Sequence, residues 1–148
     1  MCNLKDTVRN TELFVFDIYI AILKIKETSG RFTDVQNMLY DYNAWDSVIR
    51  EFEIIGEASK HLLKNNLLDK EYQVVVDFRN QITHEYFGID REVVWTIIYH
   101  DLPTLEDTIL KLIQNIEPKL KDDLIRTFIE DNAYLDFVVR ALERYYEK

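Results

Sequence analysis

The sequence predicts an all-α protein, and three observations carry that expectation. Only three glycines and two prolines occur in 148 residues, too few for the turns of a sheet protein. Apolar residues recur at three- and four-residue spacing along most of the chain. The breaks between these periodic stretches are short, which predicts an antiparallel bundle of about five helices followed by an extra C-terminal helix. Hydrophobic residues make up 47% and charged residues 30%, enough for residues 1–148 to form one domain around its own core.

Each element has its own signal. Phe14, Ile18, Ala21, Ile22 and Ile25 fall on one helical face, predicting a first helix over about 11–28 with Asn10 or Thr11 as its cap and Gly30 at its end. A short helical turn is expected around 33–39. Trp45, Val48, Phe52, Ile55, Ser59 and Leu62 trace one face of a long second helix ending near Asn65 and Asn66. A third runs from about Asp69 to Phe87, with Gly88 suited to the left-handed position after its last turn. Asp90 can cap a fourth that starts at Arg91, and Pro103 either breaks or kinks it. Pro118 marks a cleaner boundary, after which Leu120, Leu124, Phe128, Leu135, Val138, Val139 and Leu142 predict one final amphipathic helix.

Several function classes fall away on composition. The single cysteine, Cys2, can form no internal disulfide, and no C-x-x-C or Cys/His cluster offers a zinc site. Lys5 and Arg9 precede an apolar stretch, but Glu12 and Asp17 interrupt it, so no signal peptide is expected. No run reaches the roughly 20 apolar residues of a membrane span. A soluble protein of the reducing cytoplasm is expected. The formal net charge of -9 argues against a general nucleic-acid coat, so that any RNA contact must be local. Neither an acidic metal constellation nor a glycine-rich phosphate loop is present, and no cofactor is expected.

The third helix is unusual. With Arg79 at zero and about 100° per residue, Val74, Val75, Phe78 and Ile82 gather on a core-facing side. Arg79, Asn80, Thr83 and His84 share another strip with Tyr72, Val76 and Phe87. Apolar residues on that strip need a cover, which is either a second copy of the helix across a two-fold axis or another helix of the same chain. The periodicity does not separate the two. The first arrangement gives a homodimer with two sets of Arg79, Asn80 and His84 along one cleft. Arg79 and His84 are about 140° apart on an ideal helix, so they meet only with the reach of a long side chain, fraying, or donation across the dimer.

The segment Arg79-Asn80-Gln81-Ile82-Thr83-His84-Glu85-Tyr86, followed by Phe87-Gly88-Ile89-Asp90, resembles the R-x-x-x-x-H-x-Y motif of HepT-like toxins of the HEPN superfamily. Ile54-Ile55-Gly56-Glu57-Ala58-Ser59-Lys60 resembles the family's I-G-E-A-x-K segment, and Val94-Trp95 and Asp101-Leu102-Pro103 match in order and spacing. The resemblance covers roughly 10–116 and leaves 117–148 as a helical extension. It implies a HEPN-like helical homodimer that cleaves RNA and is encoded beside an MNT-type nucleotidyltransferase antitoxin. It further implies that the antitoxin silences the toxin by attaching AMP to Tyr86. Glu85 stands where the family often has a small residue.

The implied chemistry suits these residue types. RNA carries its own nucleophile, the 2′-hydroxyl, so proton transfer and charge stabilisation suffice without a metal. His84 can move protons at neutral pH, Arg79 can grip the scissile phosphate, and Asn80 can orient the imidazole or donate to phosphate. The expected products are a 2′,3′-cyclic phosphate and a 5′-hydroxyl. Taken alone, His84 reads as a surface histidine, Arg79 as an ion-pair partner of Asp77 or Glu85, and Tyr86 as a rim residue. Glu57 reads as a partner of Lys60 or Lys64, ahead of a contact with the motif. His61 and His100 read as structural. Two further functions compete with the RNase: a non-catalytic module that binds the nucleotidyltransferase, and a purely structural helical dimer.

Overall fold

The computed structural model describes residues 4–84 and 88–146, with side chains from residue 11 onward. Among them there is no strand: α1 (Leu4–Ser29), α2 (Val35–Tyr40), α3 (Tyr42–Lys64), a 3-10 turn (Lys70–Tyr72), α4 (Gln73–His84), α5 (Arg91–Thr96), a π-turn (Ile97–Asp101), α6 (Leu102–Gln114), α7 (Pro118–Asp131) and α8 (Asp136–Tyr146). The all-α bundle expected from composition and periodicity is the observed fold. No described helix is long and apolar enough to cross a membrane.

The long helices α1 and α3 pack most extensively on each other, and α4 lies against α3 while α6 lies against α1. Phe16, Ile18, Ile22 and Ile25 of α1 and Val48, Phe52, Ile55 and Leu62 of α3 are wholly buried. A fully buried side chain of this size contributes about 1.5–3 kcal/mol. Phe52 meets Phe78 of α4 edge-on, with ring centroids 5.1 Å apart.

Several boundaries differ from expectation for physical reasons. The first helix begins at Leu4, so neither Asn10 nor Thr11 caps it. The third begins as a 3-10 turn that seats the buried Tyr72, whose hydroxyl donates to the Thr104 carbonyl at 3.2 Å. At Pro103 the α-helical pattern is interrupted: the proline sits in the first turn of α6, and the π-turn before it closes with Leu102 N–H donating to Ile97 O. A proline there removes a donor that a helix start leaves unpaired anyway. The final helix is two helices. Asn132, 8% exposed, ends α7 by donating its Nδ2 to Phe128 O at 2.9 Å, and the chain re-enters helix at Asp136.

The end of α3 near Asn65 and Asn66 falls where expected. Asn66 adopts φ 59°, Asn66 N–H donates to Leu63 O at 3.1 Å, and Leu67 N–H donates to Leu62 O at 2.9 Å. This is a Schellman turn with asparagine in the place usually taken by glycine.

Candidate active site

Gly56 sets the spacing between α3 and α4. A Cβ at this position would overlap the Arg79 Cβ and stand 2.7 Å from its Cγ and 3.2 Å from the Val75 carbonyl. Only a residue without a side chain allows the two backbones to come so close. The Arg79 stem therefore lies in the helix crossing, and its guanidinium reaches the edge of the crossing, the side chain as a whole being 31% exposed.

Two acceptors hold that guanidinium. Glu57 Oε2, on α3, is 3.3 Å from Arg79 Nη2, and Arg79 Nη1 donates to Asn80 Oδ1 at 3.3 Å. His61, one turn beyond Glu57, brings its Nε2 to 3.7 Å from Glu57 Oε1 and stacks on Phe14 of α1 with centroids 4.3 Å apart and planes 5° apart. With Glu57 46% exposed, the ion pair contributes no more than about 1 kcal/mol to stability. Its effect is on geometry, since it fixes where the fork points.

A groove of about 320 Å³ opens at this point, lined by Phe14, Asp17, Glu53, Glu57 and Arg79 among others. Burial raises the Asp17 carboxyl above its ordinary range. His84, the last described residue of α4, is exposed and makes no hydrogen bond or ion pair among the described residues. Thr83, one position earlier, donates its hydroxyl back to the Arg79 carbonyl at 3.0 Å. No three His, Cys, Asp or Glu side chains converge as a metal would need, among the described residues.

The structure thus joins Arg79 to Asn80 and leaves His84 open on the same helix, five residues along. Tyr86, with Glu85 and Phe87, lies outside the described residues. The geometry bears on four readings. Arg79 pairs with Glu57 rather than with Asp77, and Glu57 reaches the motif rather than Lys60 or Lys64. His61, read as structural, stacks on Phe14 and lies beside Glu57. Tyr72 and Val76 are 4% and 5% exposed within the chain, so these two need no second copy to cover them. Val74, expected in the core, is 39% exposed because it lies at the far edge of the apolar arc set by Val75, Phe78 and Ile82.

Comparison with known proteins places the chain in a family. Residues 18–112 match the family model described as Ribonuclease HepT-like. A "Probable ribonuclease HepT" of Thermococcus cleftensis is 33% identical over 107 residues, 70% of this chain and 96% of that one. A "Putative RNase" of Methanocaldococcus jannaschii is 30% identical over 113 residues, 74% of this chain and 92% of that one. Another of the same description, from Caldanaerobacter subterraneus, is 34% identical over 70 residues, 45% of this chain and 62% of that one. No solved structure matches the chain with significance. With the family model spanning most of the helical body and relatives matching nearly end to end, this chain belongs to the HepT-like ribonuclease family of the HEPN superfamily.

Proposed function

We propose that the protein is the toxin of a toxin–antitoxin pair, an endoribonuclease that cuts RNA without a metal at an Arg79/His84 site. The supporting observation is the Arg79 fork, aimed by Glu57 and Asn80 at the surface of α4, the helix that also carries the exposed His84. Arg79 binds the scissile phosphodiester through two parallel N–H donors and stabilises the charge that builds on it. One His84 takes the proton of the 2′-hydroxyl as its oxygen bonds to phosphorus. A second His84, from the other protomer of a homodimer, gives a proton to the 5′-oxygen as the P–O5′ bond breaks. The products are a 2′,3′-cyclic phosphate and a 5′-hydroxyl, and two-fold symmetry supplies the two imidazoles. An MNT-type nucleotidyltransferase antitoxin silences the site by placing AMP on Tyr86, at the end of the same motif.

The test is cleavage of a defined RNA by the purified protein, with the product ends identified by mass spectrometry. Arg79→Ala and His84→Ala are each expected to lower kcat by at least about 100-fold, since a general acid or base contributes 10²–10⁴, and His84→Ala, at an exposed position, to leave the melting temperature unchanged. Cleavage by both variants at the original rate would overturn the assignment.

A further inference from the structure

A second groove, of about 740 Å³, lies beside the Arg79 site between the C-terminal end of α3 and the outer face of α4. Lys60, Lys64, Lys70, Gln73, Val76 and Asn80 line it, and no carboxylate does. None of the three lysines is in an ion pair among the described residues. This is notable in a chain with 27 acidic and 18 basic residues. Glu57, one turn before Lys60, is taken up by Arg79 instead. Lys60 and Lys64 are four apart on one helix, where like charges repel by a few tenths of a kcal/mol. The Schellman turn at Asn66 reverses the chain so that Lys70 shares the groove with them. Three unneutralised ammonium groups in one concave site call for an anionic ligand.

The groove connects to the chemistry through Asn80, which lines it and accepts the Arg79 Nη1 hydrogen bond. Gln73 stands two turns earlier on α4, about 10.5 Å away along the axis, so polar side chains edge the groove over its length. Asp77 accepts from Gln73 Nε2 at 3.1 Å and is not part of the lining. On the other side of Arg79 the smaller groove carries Asp17, Glu53 and Glu57, which would repel a polyanion. Charge alone therefore selects the lysine side.

We propose that this groove is the track for the RNA backbone. Lys60, Lys64 and Lys70 neutralise successive phosphates of a single strand, and Asn80 marks the point where the strand passes to Arg79. The inference rests on the RNase reading and adds to it the path of the substrate. Lysine ammoniums are point charges without the planar fork that reads a particular geometry, so the track supplies affinity and direction and leaves base choice to other contacts.

The experiment measures binding of the full-length protein to a fluorescent 20-nucleotide single-stranded 2′-O-methyl RNA, whose nucleophile is blocked, between 50 and 200 mM KCl. Each phosphate neutralised on a single strand contributes about 0.7 to the slope of log K against log salt, so three lysines contribute about 2, or roughly a 20-fold loss of affinity across that range. The Lys60→Ala/Lys64→Ala/Lys70→Ala variant is expected to bind about tenfold or more weakly at 50 mM, with a slope shallower by about 2. The charge-matched Lys111→Ala/Lys119→Ala/Lys121→Ala variant is expected to bind as the original protein does. Arginine at the three groove positions is expected to restore binding, which separates charge from folding. Equal losses in both triple variants would overturn the track. So would an unchanged salt slope in a groove variant that instead loses an acidic protein partner. Failure of the RNase reading looks different: Arg79→Ala and His84→Ala would then cut unmodified RNA normally while the salt slopes still report on the groove.

Discussion

Glu51 lies on α3 with 6% of its surface exposed, and burial raises its carboxyl above the ordinary range, while Lys24 and Arg50 pull it back. A carboxyl whose native pKa is raised takes up its proton more readily folded than unfolded. Its contribution is therefore favourable below the unfolded value of about 4.3 and is lost as pH rises through the native value. Glu51→Gln should accordingly raise the melting temperature at pH 7.5, with an advantage that fades toward pH 4. An advantage equal at every pH would show that ionisation is not its cause. Of the candidate site, the placement of Arg79, Asn80 and His84 on one helix was legible in the sequence because one short segment carries them. The Glu57 contact was not, because it depends on how closely two helices cross. His61 had no motif around it, and the signal available was its spacing of one turn from Glu57.

Gly56 decides the α3–α4 crossing. In an isolated helix, Gly→Ala gains up to about 1 kcal/mol. Here the added methyl would strike the Arg79 stem and crowd the Val75 carbonyl, and overpacking of this kind costs about 1–3 kcal/mol. Gly56→Ala should therefore lower stability, by about 1 kcal/mol net, and cut RNA cleavage about 100-fold by displacing Arg79. A variant that melts higher and cleaves normally would mean that the crossing has slack. Helix existence was readable from apolar spacing throughout, whereas ends were readable only where a residue type marks them. Asn65-Asn66 and Pro118 did so. The α7–α8 break has no glycine or proline, since it depends on Asn132 turning its side chain back onto Phe128, and the apolar pattern runs on through it.

Across the whole molecule, the matched family segment and the C-terminal helices share one core. Phe128 of α7 stacks on Phe16 of α1 at 5.1 Å, and Tyr145 of α8 meets Tyr19 edge-on at 6.1 Å. Removing residues 117–148 would uncover Phe16 and Tyr19, each contributing about 1.5–3 kcal/mol when buried. The 1–116 fragment should lose about 3 kcal/mol or more, read as a lower urea midpoint, or fail to stay soluble. A fragment as stable as the full chain would make the extension dispensable to folding. The net charge of -9 describes the chain as a whole. What composition could not reveal is the sorting of charge, with lysines in one groove and carboxylates in its neighbour, because only the fold brings residues 60, 64 and 70 together.

The π-turn at Ile97–Asp101 keeps two stretches of helix in phase. Val94 before it, Ile97 and Ile98 within it, and Leu102, Leu105 and Ile109 after it are all buried, although a proline sits at the junction. A residue lost from the α-helix on either side would rotate the aliphatic row by about 100° toward water, whereas a residue lost from the π-turn would leave a regular α-helix. A homologue should therefore shed a residue at this turn at less cost than in the helices that flank it.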